Sequence, residues 1–285
     1  MFKQFILGLI SCLSALVYAA PINIVAAENF YGALAAEIGG TNVTVQSIIS
    51  NPEADPHLFA TSAATNRALS QAQIIIYNGA DYDPWMEQLL NTLDQHQVTV
   101  INVATLMNIK AAANPHIWYQ PETFPRLAQL LERTICQLNP AATSATQANL
   151  TKFLAANHHV AEAIKQVKAQ YGGTKVTATE PVFGYMAEAM GFKMYGLDFQ
   201  GKIMNNSEAS PKMIAAYQQL LTSRQVKILF YNRQVKDTLT ANMQNLAKMQ
   251  HIAVVGVTET MPTNLSINQW LTQEIMASAA AAATK

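Results

Sequence analysis

From Pro140 to Tyr171 the chain carries no internal glycine or proline, and a stretch of that length without a breaker predicts one long helix. Leu150, Phe153, Leu154, Ala161, Ile164, Val167 and Tyr171 recur at helical spacing, and Gly172-Gly173 closes the segment as a C-terminal cap would. At 1.5 Å per residue such a helix runs roughly 40 Å, the length of a whole domain. It reads as a rigid spine between two bodies of chain. A flexible hinge would need glycine-rich or strand-like crossovers here instead.

On either side of the spine, short β-rich runs alternate with amphipathic helical segments. The first half offers Ile22 to Ala27, Val43 to Ile49, Gln73 to Asn78 and Val98 to Val103; the second offers Lys175 to Thr179, Lys193 to Phe199, Val226 to Asn232 and Ile252 to Val257. Most are apolar enough to be buried on both faces, which is the pattern of parallel strands with crossover helices. The expected fold class is α/β: two lobes, each a four-stranded mainly parallel sheet with flanking helices, joined by one long helix. The expected limits are residues 1–19 for an export signal, 20–139 for the first lobe, 140–172 for the linking helix and 173–285 for the second lobe. Two helix starts support the parsing: Ser210-Pro211 puts a capping hydroxyl before a first-turn proline, and Ser266 with Gln269 fits a capping box. The alanine-rich Ala279 to Lys285 reads as a fraying extension of the last helix.

The N-terminus predicts where the chain works. Lys3 precedes an apolar run from Phe5 to Val17, and Val17-Tyr18-Ala19 supplies the small residues of a cleavage site between Ala19 and Ala20. The run is shorter than the about 20 residues that span a bilayer, so a soluble exported protein is expected. Leu9-Ile10-Ser11-Cys12 also resembles a lipoprotein cleavage box. The short segment before Cys12, and its unbroken continuation past it, argue against lipid anchoring there. After cleavage Cys136 is the only cysteine, which excludes an internal disulfide; its neighbours Leu131, Ile135 and Leu138 predict a buried apolar residue. The whole chain has 18 basic and 18 acidic residues with no basic cluster, so nucleic acid is excluded as a partner.

Two histidines, each preceded by proline, lie beyond β-like runs: Asp55-Pro56-His57 and Asn114-Pro115-His116. Glu180 and Glu259 follow at similar places in the second half. Ligands of open parallel sheets bind outside the carboxyl ends of the strands, and all four residues fall at that edge. Imidazole and carboxylate are the usual ligands of zinc and its first-row neighbours, and a proline beside the ligand restricts the backbone before the metal arrives. Glu180 sits in an apolar setting, Thr179-Glu180-Pro181-Val182-Phe183, where an unpaired charge is expensive. Glu259 has an alternative reading as a turn residue between Thr258 and Pro262. His158 and His159 fall on the spine, and His96 and His251 just before strands; these four read as structural or solvated.

The chain resembles the periplasmic metal-binding proteins of zinc and manganese ABC importers, the TroA-like or ZnuA-like class of solute-binding proteins. The likeness is carried by Asp55-Pro56-His57, Asn114-Pro115-His116-Ile117-Trp118, Phe183-Gly184-Tyr185 after Glu180, Glu208-Ala209-Ser210-Pro211, and Tyr77-Asn78-Gly79 leading to Trp85. It implies a divalent metal, zinc or manganese, carried as the transported ligand between the lobes by His57, His116, Glu180 and Glu259. It also implies a membrane ABC permease as partner, a monomer, a place outside the cytoplasmic membrane, and no enzymatic activity. Many zinc-importing members have histidine where Glu180 stands, and some carry a histidine-rich loop that is missing here. Two histidines and two carboxylates make a harder site, moving the preference toward manganese without excluding zinc. A secreted zinc hydrolase is the alternative, disfavoured because there is no His-Glu-x-x-His helix or nucleophile elbow. A pocket for an organic or haem-type ligand near Tyr82, Trp85 and Trp118 is a third.

Overall fold

The computed structural model describes residues 20–53, 56, 59–93, 98–205 and 207–284. The export-signal segment, Cys12, His57, His96 and Lys285 lie outside the described residues. The first half runs β1 (Ile22–Glu28), α1 (Asn29–Gly39), β2 (Val43–Ile49), α2 (Ala63–Ser70), β3 (Ile74–Tyr77), α3 (Pro84–Leu90), β4 (Thr99–Asn102), α4 (Val103–Leu106) and α5 (Thr123–Leu138). The spine is α6 (Thr143–Tyr171), 29 residues preceded by a single 3-10 turn from Pro140. The second half runs β5 (Lys175–Ala178), α7 (Gly184–Ala189), β6 (Lys193–Tyr195), α8 (Leu197–Met204), α9 (Pro211–Thr222), β7 (Ile228–Asn232), α10 (Thr238–Met249), β8 (Ala253–Val257) and α11 (Ile267–Ala283).

Both sheets are entirely parallel and share one order, β2-β1-β3-β4 and β6-β5-β7-β8. Alternate side chains of a strand face opposite ways, and both faces here are covered. Ile24, Ala26, Ile74, Ile76 and Ile101 join one apolar cluster, whereas Val25, Ala27, Ile75 and Tyr77 pack with Leu69 and Met86 beneath α2 and α3. The second sheet divides the same way, with Phe230 on one face and Leu229 on the other. The first of these clusters is continuous between the halves: Phe30, Trp118, Tyr119, Phe183, Phe230 and Trp270 belong to it together. Ring contacts link them, Tyr119 to Phe183 at 4.9 Å and Phe183 to Phe230 at 5.1 Å. Two sheets are therefore packed around a shared aromatic centre, with α6 and α11 behind it.

Four sequence expectations need correction. The sixth strand stops at Tyr195 rather than Phe199, because Gly196 adopts φ 76° and starts α8; that conformation costs glycine little and ends extended pairing. On the spine Val160, not Ala161, faces the core. Cys136 is only half-buried, with Sγ against Glu132 and Thr146, and Leu138 is exposed. The alanine-rich tail does not fray within the described residues: α11 reaches Ala283, Ala281 and Ala282 are buried, and Lys227 donates to the Ala282 carbonyl. Small side chains let the helix lie close to its neighbours. Both expected caps form, Ser210 accepting from Met213 and Ser266 exchanging bonds with Gln269.

Candidate metal centre

Glu180 and Glu259 each sit two residues beyond the end of a parallel strand, β5 and β8, and His116 follows β4 by way of α4 and a short loop. All three are buried, Glu180 at 5 % exposure and the other two at 0 %. The structure brings His116 and Glu259 together across the two halves, Nε2 to Oε1 at 3.3 Å. Glu180 and Glu259 meet through Asn232 at the end of β7, whose Nδ2 donates to Glu180 Oε2 at 2.7 Å and to Glu259 Oε1 at 2.9 Å. Among the described residues, no group of three or more histidine, cysteine, aspartate or glutamate side chains meets the spacing of a metal centre. His57, the remaining sequence candidate, lies outside them.

The asparagine of Asn114-Pro115-His116 explains the histidine's state. Asn114 Nδ2 donates to the Pro181 carbonyl at 2.8 Å, which fixes the amide so that Oδ1 faces the imidazole, 2.6 Å from Nδ1. An amide oxygen only accepts, so Nδ1 carries the proton in the neutral ring. Nε2 then faces Glu259 Oε1 at 3.3 Å: protonated, it donates to the carboxylate, and in the neutral ring it is the nitrogen available to a metal. Asn114 also ties His116 to the loop of Glu180, since Tyr185 donates to its carbonyl at 2.8 Å. A Cβ on Gly184 would lie 2.9 Å from Asn114 Nδ2, so that glycine keeps the approach open.

Around this cluster the surroundings are aromatic and buried. Tyr82 donates to Glu259 Oε2 at 3.3 Å, and its hydroxyl is held well above its ordinary range by burial and then by the charges of Glu259, Glu28 and Asp83, so it remains a donor. Trp118 packs its ring 5.2 Å from His116 and 4.9 Å from Tyr82. Trp85 stands further out, against Phe59. The loop carrying Glu259 is pinned on several sides: Tyr119 donates to the Thr258 carbonyl, Trp270 to the Thr258 hydroxyl, and Asn29 exchanges two bonds with Met261. The Pro52 carbonyl, from the segment after β2, accepts from Gln234 at 2.9 Å and Thr260 at 2.6 Å. Cavities of about 400 to 500 Å³ lie elsewhere, none lined by His116, Glu180 or Glu259.

His158, His159 and His251 are exposed, as the sequence led one to expect. Asn114 and Asn232 were not foreseen as site residues. The available signal for Asn232 was a polar residue closing the apolar strand Ile228–Asn232, and Asn78 occupies the corresponding place after β3. Asn78 is also wired to the site, donating to the Pro115 carbonyl at 2.9 Å and accepting from Tyr31.

Two parallel sheets packed about one helix, with imidazole and carboxylate meeting between them, describe a two-lobed solute-binding architecture. The chain belongs to the family of the periplasmic zinc-uptake complex component A, whose model matches residues 24–277. It is 24% identical over 232 residues to the manganese-binding lipoprotein MntA of Bacillus subtilis, covering 78% of this chain and 74% of that one. It is 23% identical over 222 residues to the zinc-binding protein TroA of Treponema pallidum, covering 73% and 70%. Among solved structures, the periplasmic zinc-binding TroA of Treponema pallidum superposes with a TM-score of 0.78 at 16% identity, covering 93% of this chain and all of that one. The solute-binding protein FpvC of Pseudomonas aeruginosa, in complex with Mn2+, gives 0.76 at 15% identity, covering 92% and 98%.

Proposed function

We propose that this protein captures a divalent first-row cation, zinc or manganese, outside the cytoplasmic membrane and hands it to a membrane ABC permease. The observation that carries the reading is the buried convergence, at the carboxyl edges of the two sheets, of His116 Nε2 on Glu259 Oε1 with Glu180 one asparagine away. We assign the ligands as His57, His116, Glu180 and Glu259. Four protein ligands close a coordination shell and leave no open position for substrate water, which suits carriage and not hydrolysis; the hydrolase alternative finds no further support. The family of solute-binding proteins and the relatives named for manganese and zinc support the same reading.

The working parts divide as residues 20–139, the linking helix 140–172, and 173–285, with the cation at their junction, acting as a monomer. An extracytoplasmic place accords with the periplasmic family and with relatives named as lipoproteins. We assign release after Ala19; lipid anchoring at Cys12 is the competing route, and the mass of the mature N-terminus separates the two. The function is tested by radiolabelled zinc and manganese uptake in cells lacking this chain. Wild type restores uptake and His116→Ala does not; equal restoration by both would refute the assignment.

A further inference from the structure

The two carboxylates at the centre of the site share one side-chain donor, and its orientation is fixed. Asn232 Oδ1 accepts the backbone N–H of Gln234 at 3.0 Å, so the amide nitrogen must face inward. An NH2 group has two hydrogens, and here one goes to Glu180 Oε2 at 2.7 Å and the other to Glu259 Oε1 at 2.9 Å. Asn232 is itself only 3 % exposed, so water does not compete for these bonds. Gln234 supports the arrangement from behind, its Oε1 accepting the backbone N–H of Glu259 at 3.1 Å.

We propose that Asn232, by holding Glu180 Oε2, restrains Glu180 to one-oxygen coordination, as Tyr82 on Oε2 restrains Glu259, and so makes the site discriminate in favour of zinc over manganese. This rests on the reading of both glutamates as ligands. Zinc is satisfied by four donors in a tetrahedron, one from each of four side chains. Manganese favours six-coordinate, oxygen-rich shells. Four side chains reach five or six donors only when carboxylates bind through both oxygens, and an oxygen already holding an amide hydrogen competes poorly for that second contact. A glutamate in place of a third histidine would on its own soften the preference for zinc; Asn232 works against that softening. It is a positioning residue, acting on the metal through the second oxygen of Glu180.

Almost any site of this kind binds zinc more tightly than manganese, so the diagnostic quantity is the change in the ratio of the two dissociation constants. Asn232→Leu keeps the bulk and removes both donors. Competition titrations with zinc and with manganese, on wild type and variant, are expected to show the ratio narrowing by about tenfold or more, the scale of effects from groups that orient ligands. X-ray absorption on the metal-loaded proteins is expected to show four light donors around zinc in wild type and more around manganese in the variant than in wild type. Should Asn232→Leu not fold, as judged by its thermal melt, Asn232→Ala carries the same ratio measurement. Equal weakening of both metals, or a ratio that widens, would overturn the proposal while leaving the metal site standing. Failure of wild type to bind either metal stoichiometrically would overturn the metal reading and this proposal with it.

Discussion

Each residue of the Asn114-Pro115-His116 motif does a different job, and the asparagine's can be isolated. It sets the tautomer of His116 and bridges to Pro181, so Asn114→Ala should weaken metal affinity about 10- to 100-fold while leaving one site per chain; calorimetric titration reads both numbers. Removing the amide without any loss of affinity would contradict that role. Glu274 lies behind the Glu259 loop, accepting from Trp270 and Thr258, and burial raises its carboxyl to about 8. Burial likewise raises Asp83 to about 6. A carboxyl whose folded value exceeds its unfolded one binds its proton more tightly in the native state. Its stabilising contribution is complete below about pH 4.5 and declines until the pH passes the folded value. Stability should therefore fall between about pH 5 and 8, and Glu274→Gln should flatten the upper part of the decline. Melting temperatures measured across that interval check the slope; a wild type that grows more stable over it would contradict the assignment. That His116, Glu180 and Glu259 lie close together was legible in sequence, because all three follow the carboxyl ends of parallel strands. Asn232 was not, since an asparagine ending Ile228–Asn232 looks like ordinary punctuation until its two acceptors are seen.

The elements were legible wherever apolar content and breakers agreed. All eight strands occur: the central β1, β3, β5 and β7 are largely apolar runs buried on both faces, which have few other places to go, and the more exposed β2, β4, β6 and β8 pair along them. The spine was read from its freedom from breakers, and its capped C-terminus is where Gly172 and Gly173 stand. The sixth strand is overrun because Leu197-Asp198-Phe199 alternates apolar and polar as a strand would, and only the left-handed Gly196 turns the chain into α8. That position offers a direct check. A Cβ there would lie 2.9 Å from the Tyr217 ring as well as forcing φ 76° on an L-residue. Gly196→Ala should cost about 1–3 kcal/mol of stability in denaturant titration; a neutral result would mean that the turn is not held as described. Sequence also misjudged the alanine tail, since its burial depends on Lys227 and on the packing of α11 against α6 and β8, all remote from it in the chain.

At the scale of the whole molecule, one aromatic centre serves both sheets, and α6 and α11 pack together behind it. Opening the halves widely would expose Trp118, Phe183 and Trp270, each fully or almost fully buried, and large apolar side chains resist exposure by about 1.5–3 kcal/mol apiece. Metal release should proceed through loop adjustments near Pro52 and Thr260, not through wide domain closure. Small-angle scattering of metal-free and loaded protein should give superimposable curves, and a marked compaction on loading would contradict this. The proposed seat of the cation, between the halves, is His57, His116, Glu180 and Glu259. Its most direct test is calorimetric titration of metal-free protein with zinc and with manganese, repeated on His57→Ala, His116→Ala, Glu180→Ala and Glu259→Ala. One site per chain is expected in wild type, and a severe loss of affinity in every variant. Stoichiometric binding of undiminished affinity in the His116 and Glu259 variants would contradict it.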